Sequence, residues 1–253
     1  MSEAGQHHGG VSDLQRPLGI FGGTFDPVHY GHLRLAEEAR DLLGLSQVCW
    51  VPAGQPPLRS QPDTPAAHRV AMVAAAIEAN PNFILDTGEA DSPEASYTVR
   101  TLERLRVAHG PERSLVLLLG ADAFARLTSW HRWRDLFSLA HIGVATRPGH
   151  PHPLDADIRV GVTGGNPCGT GGTALDPQVP AELAKETAVR CGTVADIATT
   201  PAGRIVPFTI RPLDISATIL RAHLTAGESA RYLAPDSVLD YIERHHLYRP
   251  LSS

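Results

Sequence analysis

Lysine is almost missing from this chain. Lys185 is the one lysine among 22 basic residues, so arginine supplies nearly all fixed positive charge. A Walker-type phosphate loop, which needs a lysine after its glycines, is thereby excluded. Cysteine is scarce as well. Cys49, Cys168 and Cys191 show no Cys-x-x-Cys spacing, so neither a structural zinc nor a disulfide framework is expected. No apolar run approaches the roughly 20 residues of a membrane span. Residues 1–17 are polar and lack the apolar core of a signal peptide, and they read as a disordered N-terminal tail on a cytoplasmic protein. An excess of basic charge is also lacking. The net charge is −5, which argues against nucleic acid or an anionic membrane as a partner. Any phosphate recognition must therefore be local.

What is present suffices for a substantial core. With 253 residues, 42% of them hydrophobic, one α/β domain carrying an insertion is the expected size. Its densest segment is 18–32. Leu18 to Phe21 is a short apolar run suited to a buried strand. Gly22 and Gly23 follow, where a strand can turn and a ligand can approach the backbone. After the turn dipeptide Asp26-Pro27, apolar residues recur at helical spacing from Leu33 to Leu43, so a helix begins near His29. Strand, glycine turn and helix N-terminus together form a natural phosphate site. His29 and His32, three residues apart, share one face of that helix start. Two imidazoles there can hydrogen-bond phosphate oxygens and stabilise charge in a transition state.

Further elements alternate. Gln47–Pro52 reads as a strand, and Pro56-Pro57 stiffens the loop that follows. Residues 64–79 form a helix with Thr64 as N-cap, Pro65 in its first turn and Val70, Val73, Ala74 and Ile77 as its core stripe. Phe83–Asp86 is a short strand. Another helix opens around Ser96-Tyr97-Thr98, capped by Ser96 or Thr98, and runs to about Ala108. Ser114–Leu119 is apolar throughout, as in a buried parallel strand, and it ends in Gly120-Ala121-Asp122. A carboxylate at a strand's C-terminal end lies where an open α/β sheet places ligands. Asp122 can bond a ribose hydroxyl or cap the next helix. Trp130 at a loop edge is a stacking candidate for a flat heteroaromatic ring, whereas Trp133, at helical spacing from Leu136, belongs to the core. His141–Ala145 is a strand.

Residues 150–203 are rich in Gly, Pro and Thr and read as an insertion with one helix at about 181–189. Ile205–Ile210 is a late strand. Ser216 then caps a helix that carries Thr218 and Arg221, groups able to grip phosphate oxygens. A last helix starts at Pro235-Asp236, with Val238, Leu239, Ile242 and His246 facing inward. The alternation predicts a Rossmann-like doubly wound parallel sheet with flanking helices, spanning 18–249.

The string Gly22-Gly23-Thr24-Phe25-Asp26-Pro27-Val28-His29-Tyr30-Gly31-His32 resembles the signature of the nucleotidyltransferase superfamily with a His-x-Gly-His motif. Ser96-Tyr97-Thr98, the Trp130–Trp133 segment, Arg147-Pro148-Gly149 and Ile215-Ser216-Ala217-Thr218 with Arg221 make it similar to the bacterial nicotinate-mononucleotide adenylyltransferases. The likeness covers 18–149 and 205–248. It implies adenylyl transfer from ATP to nicotinate mononucleotide in NAD biosynthesis, with Mg²⁺ carried by the ATP and no protein metal site. It implies His29, His32 and Arg221 as catalytic groups. ATP would meet Gly22, Gly23, Thr24, Phe25, Gly120 and Asp122 on one side, and Ile215, Ser216 and Thr218 on the other. The mononucleotide would meet Tyr97, Thr98, Trp130 and His131, with Arg147 near its phosphate and Arg59 as a further cation. Five positions depart from the family text: Leu58 replaces a His, Arg59 a Lys, Arg100 an Asp, Ala217 a Ser and Leu220 an Ile. A sister enzyme of the phosphopantetheine type and a non-catalytic nucleotide-binding regulator are the alternatives. Monomer and homo-oligomer both stay open.

Overall fold

A computed structural model describes residues 16–57, 62, 64–146, 179–211 and 213–249. Six strands form one parallel sheet: β1 (Leu18–Gly23), β2 (Gln47–Pro52), β3 (Phe83–Leu85), β4 (Leu115–Gly120), β5 (His141–Thr146) and β6 (Ile205–Thr209). Their spatial order is β3-β2-β1-β4-β5-β6. Strand order reverses between β1 and β4, and the crevice beyond their C-terminal ends is where such sheets hold ligands.

Nine α-helices connect or cover the described strands: α1 (Tyr30–Leu42), α2 (Ala66–Ile77), α3 (Thr98–His109), α4 (Ala121–Ala125), α5 (Leu136–Leu139), α6 (Ala181–Arg190), α7 (Val194–Thr199), α8 (Ala217–Thr225) and α9 (Asp236–Arg244). Side chains alternate across the pleat, so each strand feeds two cores. Phe21, Trp50, Val116 and Leu118 face the layer that holds Ala36, Met72, Leu220 and Val238. Ile20, Val51, Leu117 and Leu119 face the opposite layer with Val99, Leu102, Phe124 and Leu183. Each such side chain, fully enclosed, contributes about 1.5–3 kcal/mol relative to exposure. Near-continuous apolar strands are what burial on both faces demands.

Several local expectations need correction. Helix α2 begins after Pro65, and no side chain caps it. Thr64 is buried, and its carbonyl accepts a bond from Arg69 Nε at 3.1 Å. The inward stripe of α2 is Arg69, Met72, Val73 and Ile77. Val70 and Ala74 are only half-buried, because the guanidinium of Arg69 has partners inside. Helix α3 has Tyr97 at its N-cap and no side-chain cap. Gly120, not Asp122, is the cap of α4. Helix α9 ends at Arg244, so His246 stands outside it, exposed and at positive φ. Leu247 and Tyr248 pack back against the core in its place.

Within the proposed insertion, the helix expected near 181–189 is α6. Helix α7 was not anticipated, although Thr193 and Asp196 close a full capping box at its start. Cys191 is disulfide-bonded, against the expectation that cysteine plays no cross-linking part. Cys49 is buried and free.

Candidate active site

The first motif folds as its spacing demands. β1 delivers Gly22 and Gly23 to the switch point, and α1 begins at Tyr30 after His29, whose extended backbone forms the N-cap. A Cβ on Gly23 would lie 2.9 Å from the Phe25 ring. A Cβ on Gly31 would lie 3.0 Å from the His29 ring and 3.2 Å from the Ile215 carbonyl oxygen. Both positions need glycine because something else already fills the space. The His29 and His32 rings stack with centroids 3.7 Å apart. Phe25 is buried, and its ring edge meets His32 at 5.1 Å. Phe25 thus supports the imidazole from the core side.

The late motif meets the early one. Ser216 Oγ accepts a bond from Ile219 N–H at 3.2 Å, capping α8. Arg221 Nη1 donates to the Asp26 carbonyl at 2.6 Å, across 195 residues of sequence. An arginine has five N–H donors, and this bond uses one. The Asp26 side chain is buried and accepts the Tyr248 O–H. Burial first, then this bond, pushes the Tyr248 phenol above its ordinary value. Thr218 is exposed in the first turn of α8.

Beside these groups lies a cavity of about 370 Å³. Its floor is the C-terminal end of β1, β4 and the following residues, with Gly22, Gly23, Thr24 and Gly120 among its walls. Tyr97 and Thr98 contribute the start of α3, and Trp130 and His131 the rim opposite. Trp130 is half-buried and His131 exposed. The Tyr97 and His131 rings lie 4.6 Å apart. Phe25, His29, His32, Asp122, Ile215, Ser216, Thr218 and Arg221 do not line this cavity. Except for exposed Asp122, they belong to the α1–α8 side of the cleft. Arg59, Arg147 and Leu58 lie outside the described residues. Arg100, the unexplained departure, is exposed and pairs with Glu94, its guanidinium 5.4 Å from the Tyr97 ring centre.

Other residues of the site were not foreseen. Glu89, Thr101, Arg126 and Ser129 also line the cavity. Burial raises the Glu89 carboxyl above its ordinary value, and bonds from Thr101 and Ser96 oppose the rise. Ser96 Oγ, expected as a helix cap, instead accepts from Gly54 N–H at 2.9 Å and Gln55 N–H at 3.1 Å. Arg69 offered one visible signal: an arginine on the apolar stripe of a helix. Among the described residues, no group of three or more His, Cys, Asp or Glu is set to hold a metal, and no helix is long and apolar enough to cross a membrane.

Comparison with known proteins agrees with this arrangement. The family model described as cytidylyltransferase-like matches residues 20–223. A protein of Dechloromonas aromatica (strain RCB), named probable nicotinate-nucleotide adenylyltransferase, is 51% identical over 93% of this chain and 99% of its own length. One with the same name from Laribacter hongkongensis (strain HLHK9) is 44% identical over 92% and 94%. In fold, the chain is similar to a Plasmodium falciparum nicotinic acid mononucleotide adenylyltransferase solved with NaAD, at a TM-score of 0.62 and 18% identity over 92% of this chain and 97% of that one. With the family model matched over most of its length and these relatives matched nearly end to end, the chain belongs to the nicotinate-nucleotide adenylyltransferases of the cytidylyltransferase-like family.

Proposed function

We propose a residue-level account of the family's reaction, in which nicotinate mononucleotide and ATP give deamido-NAD and pyrophosphate in NAD biosynthesis. The observation that carries it is the junction of the two motifs. Arg221 bonds the Asp26 carbonyl, and Gly31 abuts the Ile215 carbonyl, beside a cavity of a size to hold a mononucleotide.

The α1–α8 side takes the triphosphate. Backbone N–H groups of the turn at Gly22, Gly23 and Thr24 and the N-terminus of α1 face its oxygens. His29 and His32 hold the oxygens of the phosphorus under attack. Ser216, Thr218 and Arg221 hold the leaving pyrophosphate. Gly120, Asp122, Ile215 and Phe25 shape the nucleoside side. The cavity takes the acceptor. The Thr98 N–H at the start of α3 receives the pyridine carboxylate beside Tyr97, whose own N–H donates to the Ala95 carbonyl; Trp130 stacks on the ring, and His131 closes the rim. Arg147 and Arg59 add positive charge for the acceptor phosphate.

The acceptor's 5′-phosphate is already anionic and needs no general base. Its oxygen attacks the α-phosphorus of ATP in line, and pyrophosphate departs with the bond electrons. Catalysis is then positioning and charge stabilisation. Mg²⁺ carried with ATP would neutralise phosphate charge. We keep 18–249 as the catalytic domain, 150–203 as its insertion and 1–17 as a tail.

Pyrophosphate release with ATP, Mg²⁺ and one of three acceptors tests the reading. Release is expected with nicotinate mononucleotide, and little with nicotinamide mononucleotide or phosphopantetheine. Release with phosphopantetheine alone would overturn the acceptor assignment. Silence with all three would favour a non-catalytic nucleotide binder.

A further inference from the structure

Arg69 is 1% exposed and sits on the core stripe of α2. Among the described residues, its guanidinium donates to no carboxylate. It donates instead to three main-chain carbonyls: Thr64 at 3.1 Å, Thr24 at 2.7 Å and Gly54 at 3.0 Å. Burial lowers its pKa, and nearby Asp26 opposes that loss. A planar fork spreads its donors over three nitrogens and can reach acceptors set well apart, whereas a lysine's three donors radiate from one nitrogen. Taking a guanidinium out of water is costly unless such bonds repay it.

Two of the three carbonyls belong to segments that border the cavity, the glycine turn and the loop after β2. Thr24 lies in the turn proposed to take ATP. Gly54 lies in the loop after β2. That loop is bonded onward to the start of α3. Gly54 and Gln55 N–H groups both donate to Ser96 Oγ, and Ser96 N–H donates to the Gln55 carbonyl at 2.9 Å. Ser96 in turn bonds Glu89, which also accepts the Thr101 O–H. Gly54 permits the approach, since a Cβ there would lie 2.2 Å from the Glu89 carbonyl oxygen. An unbroken polar line thus runs Thr24–Arg69–Gly54–Ser96–Glu89. One end is at the glycine turn, itself part of the cavity's wall, and the other at Glu89 on the wall near the start of α3.

We propose that Arg69, through Gly54 and Ser96, is a positioning strut that sets the spacing of the ATP turn and the acceptor pocket and couples their occupancy. The proposal rests on the assignment of the two half-sites given above. Neither Arg69 nor Ser96 touches reacting atoms. Their effect is on how well the attacking phosphate and the α-phosphorus are aligned.

Ser96→Ala is the decisive variant, because it removes a hydroxyl at the acceptor end and leaves the ATP turn untouched. Michaelis constants for both substrates are measured in the wild type, Ser96→Ala, Arg69→Lys and the double variant. With the strut in place, Ser96→Ala raises the constant for ATP as well as that for nicotinate mononucleotide, by about 5-fold each, the lower range for coupled sites. In the Arg69→Lys background, Ser96→Ala has no further effect on the ATP constant, because the line is already cut. A rise confined to the mononucleotide constant overturns the strut and leaves the half-site assignment intact. No change in either constant likewise overturns the strut. If Arg69→Lys does not fold, the cross-effect of Ser96→Ala on ATP decides alone.

Discussion

Around the N-terminus of α1, groups from distant parts of the chain enclose one another. Asp26 is held through its carbonyl by Arg221 and through its side chain by Tyr248, His29 is buried, and His32 is braced by Phe25. Around the start of α3, the groups stand at the wall of a cavity. Trp130 is half-buried and His131 and Arg126 are exposed. The difference matches the two tasks proposed for these regions. Phosphoryl chemistry needs donors fixed where charge develops, and enclosure fixes them. Acceptor recognition needs access for a ring and a carboxylate, and a wall with an open rim gives it. Changes on the enclosed side should therefore depress turnover, and changes on the open side should weaken acceptor binding.

The largest expected effect is at His32. His32→Ala should reduce kcat by about 10²–10³-fold, the range for losing one preorganised donor, while the folded state survives. Steady-state pyrophosphate release and a melting curve check this together. Near-normal turnover would remove His32 from the chemistry. Gly31→Ala should come next. The added methyl meets the His29 ring and the Ile215 carbonyl, and a misplacement of about 1 Å can cost roughly 100-fold. A rise in the acceptor constant without loss of kcat would blur the distinction between the two sides. Trp130→Ala should raise the Michaelis constant for nicotinate mononucleotide about 10-fold, as loss of a stacking face predicts, and leave that for ATP unchanged. Equal losses for both substrates would break the comparison on its open side.

The smallest effect concerns stability on the enclosed side. Tyr248→Phe leaves the buried Asp26 side chain without that hydroxyl, a cost of about 1 kcal/mol or somewhat more, or roughly 2–4 °C in Tm at this size. The sign of the pH dependence is also determined. An unfolded tyrosine loses its proton near pH 10, and folded Tyr248 keeps its own higher because of burial and Asp26. The unfolded state then binds fewer protons than the folded state above pH 10, so stability is full below pH 10 and falls as pH rises beyond it. Cys49, pushed up by burial from 9.0 to about 12, adds a loss of the same sign from pH 9 upward. Denaturant titrations at pH 8 and 10.5 should show a shallower alkaline decline for Tyr248→Phe. An unchanged slope would mean that Tyr248 ionises alike in both states.

The frame was readable in the sequence because its signals are local. β2 was expected at its observed bounds, since an apolar run between turn residues needs no tertiary information. The start of α1 after His29 and the cap at Ser216 were equally local. What escaped depends on partners far along the chain. Ser96 looks like a cap until the loop at Gly54 arrives, and Thr64 looks like one until Arg69 draws its carbonyl inward. An arginine on an apolar stripe violates the helical pattern, and such violations mark positions where function or strain outweighs local preference. The inward turn expected of His246 failed because α9 stops at Arg244, where local pattern could not say which later residues return to the core.

The bond from Tyr248 to Asp26 spans 222 residues. During synthesis, the glycine turn and α1 leave the ribosome early, yet the last support of their loop is made only after residue 248 has emerged. A nascent chain can therefore pair its first strands while its glycine turn stays incompletely braced. Contacts of such separation are made late and slowly. The brace on the glycine turn is thus complete only when the far end of the fold has formed.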